Sequence, residues 1–419
     1  MEDKTVTIYP SVLNGEVYIT GAKNAVLRHL AASILNDEKI SILNYPKDML
    51  DVQVHEEMLT MLGKKVTHFD GTVTIEGSVN TSNLVWKKRS IRNTLLILGA
   101  LLTKTGEGRV PLPGGCSLGD RKYDIHVGLM EAMGARVWQD ANYLCAKAEG
   151  RLHACNYMLP IRSTGATENA IIMTSLAEGT SRIWNPHIRP EILDLIEFLR
   201  KMGAKICVNG QESIIIEGVN KLDREIYHSA LSDNMQALTY LIAGSIAGKE
   251  LLIRNFPFAD LEIPLVFLRF SGLSYYQDGK DLIVRKCNPY PVDISTGPYP
   301  GINSDMQPLF AVWGALSQGT STITDLRFVG RYGYAVEFAK MGVKSAVDNN
   351  RLFIYGGNPI VGGQKVTAID LRAGSALLLL SLIADGPTEI DDFWMIERGY
   401  DDVIRVLTQL GVKIETNNG

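Results

Sequence analysis

The chain has 419 residues, of which 46% are hydrophobic and 21% are charged, and its formal net charge is -4 at pH 7. This length is too great for one simple core and suits two domains of ordinary size. The charges form neither long blocks nor a basic stripe, which argues against a nucleic-acid-binding protein. An anionic substrate would therefore have to be held by a few placed cations rather than by bulk charge.

The cysteines and the apolar segments indicate a reducing, aqueous compartment. No pair among the five cysteines has a spacing typical of a zinc site or of a compact disulfide framework; they are Cys116, Cys145, Cys155, Cys207 and Cys287. The N-terminal segment lacks the apolar core of a signal peptide, and the longest apolar stretch, around 377–384, is too short to span a bilayer. We therefore expect a cytoplasmic protein with reduced thiols.

One motif recurs along the whole chain: the apolar end of a helix, then a glycine, then a strand. The six glycines lie roughly 70 residues apart, at Gly63, Gly134, Gly203, Gly272, Gly342 and Gly411. In the third copy, apolar residues at helical spacing predict a helix over Pro190–Met202, which Gly203 would end as a left-handed cap. Strands are predicted at 204–208 and Ser213–Glu217, around an Asn-Gly hairpin signal.

Each unit also contains an earlier helix that is apolar nearly all round, which is typical of a buried helix. In chain order these inner helices are predicted at 25–35, 93–102, 168–177, 235–247, 306–317 and 373–384. Each unit thus alternates helices and strands, with the inner helix buried and the second helix more exposed. Six such units predict an α/β protein with two domains of three units each.

The N-terminal ends of the inner helices carry a distinctive set of polar residues. In order they are Lys23-Asn24, Arg92, Thr167-Glu168, Asp233-Asn234, Asp305 and Arg372. Helix capping accounts for Asp233 and Asp305, because each directly follows a serine. Three cations, at positions 23, 92 and 372, instead oppose the positive end of the helix dipole, and we interpret them as ligands of an anion.

The loop at 111–121 contains three glycines around Cys116 and ends at Arg121. Glycines let the backbone approach a ligand closely, and a neighbouring cation lowers the pKa of a thiol. Cys116 is therefore either a reactive thiol, which we favour, or a small buried residue in a tight loop.

Three arginines of the later units lie in short turns that contain glycine or tyrosine, namely Arg331, Arg372 and Arg398. The guanidinium group is suited to forked contacts with phosphate and carboxylate. A single one of them would be read as a surface salt-bridge partner. Their recurrence at equivalent joints favours a shared anion site.

These motifs together resemble the enolpyruvyl transferase family, and within it the members that act on UDP-N-acetylglucosamine in peptidoglycan synthesis. The resemblance covers essentially the whole chain and rests on Gly-Ala-Lys23-Asn24-Ala, Arg92, Pro-Gly-Gly-Cys116-Ser-Leu-Gly-Asp-Arg121, Ser-Thr-Gly165-Ala-Thr-Glu168-Asn-Ala, Ser-Asp305-Met-Gln, Gly-Arg331-Tyr, Asp370-Leu-Arg372-Ala and Glu-Arg398-Gly-Tyr. It implies a two-domain inside-out α/β barrel, in which each domain holds three repeated units with helices inside and sheets outside. It also implies a discontinuous domain of residues 1–22 plus 231–419, and an inserted domain of residues 23–230 that carries the cysteine loop.

The resemblance also implies an enzyme that transfers the enolpyruvyl group of phosphoenolpyruvate to a hydroxyl of UDP-N-acetylglucosamine, by addition and elimination of phosphate. Phosphoenolpyruvate would then be bound by Lys23, Arg121, Arg331, Arg372 and Arg398. Cys116 would be the general acid, Asp305 the base, and Lys23 would also take part in catalysis. The acceptor would be bound by Asn24, Arg92, Arg121, Asp124, Ser163, Thr164, Gly165 and Asp305. No metal or organic cofactor is expected, and no nucleic acid or membrane is an expected partner.

The sequence departs from the family's pattern on the acceptor side, whereas the phosphoenolpyruvate side is intact. The departures are at Leu50, Lys122, Tyr123, Arg189 and Asn234. They leave open another nucleotide acceptor, such as UMP in a specialised-metabolite pathway. A non-catalytic ligand-binding relative is the remaining alternative, which the retained lysine, cysteine, aspartate and arginine of the predicted site argue against.

Overall fold

The fold is given by a computed structural model that describes residues 4–114 and 123–418. Cys116, Arg121 and the departure at Lys122 lie outside these residues, so the predictions for them stay predictions. In chain order the α-helices are α1 (Lys23–Ala32), α2 (Leu50–Met61), α3 (Thr94–Thr105), α4 (Asp124–Ala132), α5 (Thr164–Thr174), α6 (Pro190–Met202), α7 (Asn234–Ala247), α8 (Glu262–Phe270), α9 (Gln307–Leu316), α10 (Tyr334–Lys340), α11 (Leu371–Ser381), α12 (Trp394–Glu397) and α13 (Val403–Gln409).

The strands in chain order are β1 (Lys4–Ile8), β2 (Leu13–Tyr18), β3 (Ile40–Leu43), β4 (Lys65–Phe69), β5 (Thr72–Glu76), β6 (Glu107–Pro111), β7 (Ala135–Asp140), β8 (Tyr143–Ala148), β9 (Asn156–Met158), β10 (Thr180–Trp184), β11 (Lys205–Asn209), β12 (Ser213–Glu217), β13 (Ile226–Ser229), β14 (Gly248–Arg254), β15 (Tyr275–Asp278), β16 (Asp281–Val284), β17 (Asp293–Ser295), β18 (Thr320–Thr324), β19 (Lys344–Asp348), β20 (Arg351–Tyr355), β21 (Lys365–Thr367), β22 (Thr388–Asp391) and β23 (Ile414–Asn418). Within the described residues they form six sheets, ordered β13-β3-β5-β4, β6-β8-β7, β11-β12-β10-β9, β15-β16-β14-β2, β17-β18-β20-β19 and β21-β22-β1-β23.

The sheets repeat one plan, which the third unit illustrates. Strands β9 and β10 run parallel, and the inner helix α5 supplies the crossover that a parallel pair needs. Strands β11 and β12 then add an antiparallel hairpin after the outer helix α6. The six repeated glycines all have φ between +83° and +115°, which confirms that each ends its outer helix in the left-handed region.

The N-terminal strand completes the sheet of the last unit. β1 lies between β22 and β23 and is antiparallel to both, in the place that the second hairpin strand takes in other units. β2 runs parallel to β14, and β13 runs parallel to β3. The chain therefore passes twice between two sets of three sheets, once before α1 and once after β13.

Buried hydrophobic side chains of the described residues form two clusters. The C-terminal core takes its residues from 6–19 and 235–412, and the N-terminal core takes its residues from 26–230. Every residue of α7 and of α11 is buried, which confirms the prediction that inner helices lie in the core. The described residues contain no helix that is both long and apolar enough to cross a membrane.

The predicted helix bounds are close to the observed ones, with one clear difference. Helix α5 begins at Thr164, four residues before the predicted start, because Ser163 caps it by accepting a hydrogen bond from the Ala166 amide at 3.4 Å. The outer helix α6 has the predicted bounds.

Candidate active site

A buried carboxylate, Asp51, joins two of the predicted phosphoenolpyruvate ligands. Lys23 begins α1, and its Nζ lies 3.1 Å from Asp51 Oδ2. Arg398 directly follows α12 and donates from Nε and Nη2 to the two oxygens of Asp51, at 2.8 and 3.2 Å. Burial raises the pKa of Asp51, but the charges of Lys23 and Arg398 outweigh burial, so its pKa lies below the ordinary value. Asp51 therefore stays ionised between the two cations.

A second carboxylate, Asp305, joins the other two described ligands. Arg331 Nη1 donates to Asp305 Oδ1 at 2.8 Å, and Arg372 Nε donates to Oδ2 at 3.4 Å. Both arginine side chains are buried, at 8% and 4% exposed, whereas Asp305 is 29% exposed. Arg372 Nη1 is buried and has no hydrogen-bond partner within the described residues. A buried guanidinium nitrogen with an unused donor is suited to an anion that brings its own oxygens.

Capping carboxylates fix the helix ends that carry these cations. Asp370 accepts hydrogen bonds from the amides of Arg372 and Ala373, which caps α11. Asp233 caps α7 in the same way and also accepts a hydrogen bond from the Lys23 amide at 3.1 Å. Burial raises the pKa of Asp233, and the charge of Arg372 opposes that rise. Asp233 thus contacts the start of α1, and the charge of Arg372 acts on it.

The turn that carries Arg331 is held by two fully buried side chains. Asp325 Oδ1 accepts hydrogen bonds from the amides of Arg327 and Phe328, and its Oδ2 accepts one from Gln307 Nε2 at 3.0 Å. Gln307 Nε2 also donates to the Arg331 carbonyl oxygen at 2.9 Å. The hydrogen bonds of Asp325 and Gln307 therefore hold the loop rigid, and the rigid loop fixes the position of the Arg331 side chain.

Two predicted acceptor segments lie at neighbouring helix N-termini. Asn24 accepts a hydrogen bond from Arg28 Nη1 at 3.4 Å on α1. Thr164 Oγ1, at the start of α5, lies 2.8 Å from His187 Nδ1, and His187 Nε2 accepts a hydrogen bond from the Tyr299 amide at 3.3 Å. Tyr299 belongs to the part of the chain that builds the C-terminal core, so His187 connects the two sets of sheets beside the acceptor segment.

The remaining described acceptor residues surround one histidine. His126 is buried and lies 3.1 Å from Asn169 Nδ2 through its Nδ1. Burial and the charge of Arg92 lower its pKa to about 3, and the charge of Asp124 opposes them. A Cβ at Gly165 would lie 3.4 Å from His126 Nε2, which is van der Waals contact, so α5 passes directly beside the ring. Asp124 itself is exposed at the start of α4.

His29, Asp194 and His228 form a buried group of residue types that can bind a metal ion, but the hydrogen bonds of the group do not fit a metal site. The two Nε2 atoms lie 3.0 and 2.9 Å from the oxygens of Asp194. Lys201 Nζ lies 3.2 Å from His228 Nδ1, so that nitrogen accepts and Nε2 carries the proton toward Asp194. A metal would need the Nε2 lone pair and would be repelled by the ammonium group. The group is a buried cluster of one carboxylate and two imidazoles that joins α1, α6 and β13.

The structure excludes two local interpretations that the sequence had left open for single residues, and it adds one residue to the site. Asp305 is not the cap of its helix turn, because Asn303 accepts the hydrogen bond from the Asp305 amide, at 3.0 Å. Arg331 and Arg398 are buried and are not surface salt-bridge partners. Asp51 was absent from the predicted site, although it shares the buried face of α2 with apolar residues, and a carboxylate on such a face is itself a signal.

Comparison with known proteins gives consistent matches along the whole chain. The family model described as EPSP synthase (3-phosphoshikimate 1-carboxyvinyltransferase) matches residues 9–407. UDP-N-acetylglucosamine 1-carboxyvinyltransferases of Salmonella schwarzengrund and Salmonella typhimurium are each 36% identical over 414 residues, which is 98% of this chain and 98% of each relative. Among solved structures, the enolpyruvyl transferase NikO from Streptomyces tendae superimposes with a TM-score of 0.86 at 24% identity and covers 100% of both chains. EPSP synthase from Acinetobacter baumannii has a TM-score of 0.74 at 15% identity, over 99% of this chain and 100% of its own.

Proposed function

Since this chain belongs to the EPSP synthase family of enolpyruvyl transferases, we propose that it transfers the enolpyruvyl group of phosphoenolpyruvate to a hydroxyl of UDP-N-acetylglucosamine and releases phosphate. The observation that carries the substrate assignment is the buried cation network. Lys23 and Arg398 share Asp51, and Arg331 and Arg372 share Asp305.

Phosphoenolpyruvate carries a carboxylate and a phosphate, and the tetrahedral intermediate keeps both groups. The cations of the site are already held in position by carboxylates. Little free energy is therefore spent on reorganising these cations when a substrate anion takes the place of a carboxylate. The unused Nη1 of Arg372 supports this assignment, because an incoming oxygen would satisfy it. Domain closure around the site would exclude water, which would otherwise compete with the acceptor hydroxyl.

The reaction needs one acid and one base on opposite sides of the substrate. The acid delivers a proton to the methylene carbon, while the acceptor oxygen bonds to the central carbon and its proton passes to the base. Loss of phosphate and of one methyl proton then restores the double bond. We assign the base to Asp305 and the acid to Cys116, which lies outside the described residues.

The contacts of Asp305 suggest how binding and base formation are coupled. Its carboxylate accepts hydrogen bonds from both Arg331 and Arg372. If the substrate anion takes over these two guanidinium groups, Asp305 is released to accept the proton of the acceptor hydroxyl. The partial exposure of Asp305, against the burial of both arginines, supports its role as the group that changes partner.

We further propose that each half of the molecule is an inside-out α/β barrel, with residues 1–22 and 231–419 in one domain and residues 23–230 in the other. The two hydrophobic cores draw their residues from these same parts of the chain, which supports the division. The ion pair between Asp51 and Arg398 and the contact between His187 and Tyr299 would then lie across the cleft between the domains.

The test is phosphate release from phosphoenolpyruvate, with UDP-N-acetylglucosamine and UMP offered in separate reactions and the product identified by mass spectrometry. Release with the sugar nucleotide, together with its enolpyruvyl ether, is the expected result. Release with UMP alone would keep the transferase chemistry and replace the acceptor. Absence of release with both would contradict the proposed function, provided that the protein is folded and binds phosphoenolpyruvate.

A further inference from the structure

His187 lies between β10 and α6 and is anchored to the N-terminal end of α5 by two hydrogen bonds. Its backbone amide donates to Thr167 Oγ1 at 3.0 Å, and its ring Nδ1 lies 2.8 Å from Thr164 Oγ1. Thr167 Oγ1 itself donates to the Ser163 carbonyl oxygen at 2.8 Å. The imidazole is therefore held in a fixed position beside the segment that is assigned to the acceptor.

The hydrogen bonds of the His187 ring define its protonation state. Nε2 accepts a hydrogen bond from the Tyr299 amide at 3.3 Å, so this nitrogen carries no proton. The proton of the neutral ring is then on Nδ1, which donates it to Thr164 Oγ1. Burial and the charge of Arg189 lower the pKa of His187 to about 4, so the ring is neutral near pH 7. The Thr164 hydroxyl thus accepts from the ring and keeps its own proton to donate.

Tyr299 lies at the tip of a short, closed loop that leads into Asp305. The Gly297 amide donates to the Ile302 carbonyl oxygen at 2.8 Å and closes the loop at its base. Directly after the loop, the side chain of Asn303 accepts a hydrogen bond from the Asp305 amide at 3.0 Å. The tip and the carboxylate assigned as the base thus belong to one hydrogen-bonded segment.

Both ends of this loop are bound to one buried carboxylate, Asp325. Thr296 Oγ1 donates to Asp325 Oδ1 at 2.8 Å before the loop, and Ser304 Oγ donates to Oδ2 after it. Arg331 Nη1 in turn donates to Ser304 Oγ at 3.1 Å. Such a network of satisfied hydrogen bonds makes the loop rigid. A displacement of the tip would therefore reach the Asp305 end of the segment and would not be absorbed within the loop.

We infer that His187 is a positioning residue, which holds the acceptor segment at Thr164 and the loop that carries Asp305 at the distance that the reaction needs. The inference rests on the proposed function, which assigns the acceptor to the start of α5 and the base to Asp305. Proton transfer requires the acceptor hydroxyl to lie within hydrogen-bond reach of the base, and a misplacement of about 1 Å can lower a rate by roughly a hundredfold. His187 acts through the two segments that its ring contacts.

The first test compares His187→Phe with His187→Gln. Phenylalanine keeps a planar ring but removes both hydrogen bonds, whereas glutamine keeps an N–H donor and an oxygen acceptor. With the acceptor that supports phosphate release, His187→Phe should lower kcat by roughly tenfold or more and raise the KM for the acceptor. His187→Gln should recover most of kcat. A residue needed only for packing would show the opposite order, and that order would overturn the inference.

A double-mutant cycle tests whether the contact with Thr164 belongs to the same chain of interactions. Thr164→Val removes the hydroxyl and keeps the size of the side chain. If the two residues act together, the effect of His187→Phe on the acceptor KM should be much smaller in the Thr164→Val background than in the wild type. Full additivity of the two effects would contradict the coupling. His187→Leu removes the same two hydrogen bonds and replaces His187→Phe if that variant folds poorly.

Hydrogen exchange gives a readout that does not depend on turnover. A peptide that contains Tyr299 should exchange faster in His187→Phe than in the wild type, because its amide loses the ring as an acceptor. His153→Phe, at an exposed position, is the matched control and should match the wild type in kinetics and exchange. Wild-type kcat and wild-type exchange in folded His187→Phe would overturn the inference. Absent phosphate release in the wild type, together with the faster exchange in His187→Phe, would instead mean that the proposed function fails while the contact stands.

Discussion

Asp51 and Arg398 are 347 residues apart in sequence, yet they form a two-pronged, nearly buried ion pair at 2.8 and 3.2 Å. Asp51 lies in the first turn of α2, which packs in the N-terminal core, and Arg398 follows α12 in the C-terminal core. Because Asp51 also holds Lys23, one carboxylate sets the position of two cations assigned to phosphoenolpyruvate. This contact therefore couples the packing of the two cores to the geometry of the site.

Asp51→Asn should weaken both folding and substrate binding. Loss of the negative charge leaves two buried cations without their shared partner, which should lower the free energy of unfolding by about 3 kcal/mol. The loss of orientation should raise the KM for phosphoenolpyruvate by roughly tenfold. Denaturant unfolding and steady-state kinetics measure the two effects. Asp48→Asn, an exposed change in the same segment, is the control, and equal behaviour of the two variants would remove Asp51 from the site.

Asp305→Ala should separate chemistry from binding. Removal of the proposed base should lower turnover by about 10²–10⁴-fold. Phosphoenolpyruvate binding should persist, because Arg331 and Arg372 remain to bind the substrate anion, although loss of their shared carboxylate should also lower the free energy of unfolding. Turnover is measured by phosphate release and binding by isothermal titration. Asp348→Ala, at an exposed position on β19, should change neither quantity, and normal turnover in Asp305→Ala would exclude the assigned role.

Local signals predicted much of the fold, and long-range contacts limited the prediction of the site. The repeated glycines and the all-apolar inner helices are properties of short windows, so they could be read without knowing what packs where. The pairing of Asp51 with Arg398 depends on contact between two cores and has no local signature beyond a carboxylate on an apolar helix face. The local sequence of Asp305 indicated only a cap, and its assignment as the base came from the family resemblance, because its arginine partners lie on other elements.

Cys116 should be the thiol that reacts first with a limited amount of iodoacetamide. Burial raises the pKa of three other thiols, which lowers their thiolate fraction; they are Cys145, Cys155 and Cys287. Cys207 is exposed on β11 and serves as an internal control for access alone. Peptide mapping by mass spectrometry gives the order of labelling. Faster labelling of Cys207 would show that exposure, and not a cationic loop, decides reactivity.

The buried histidine beside the acceptor segment should make the protein less stable in mild acid. The pKa of His126 is about 3 in the folded chain, below the value of about 6.5 expected when unfolded. Between these values the unfolded state binds a proton that the folded state does not, so stability falls as pH drops below about 6.5. At about pH 5 this one group should lower the free energy of unfolding by about 2 kcal/mol relative to neutral pH.

Denaturant unfolding of wild type and His126→Gln at both pH values isolates the effect, because the variant should lose that part of the pH dependence whatever its overall stability. His153→Gln, at an exposed position, should keep the wild-type pH dependence. An equal pH dependence in His126→Gln and wild type would mean that His126 is protonated in the folded protein, and the ring beside Gly165 would then carry a charge into the acceptor side of the site.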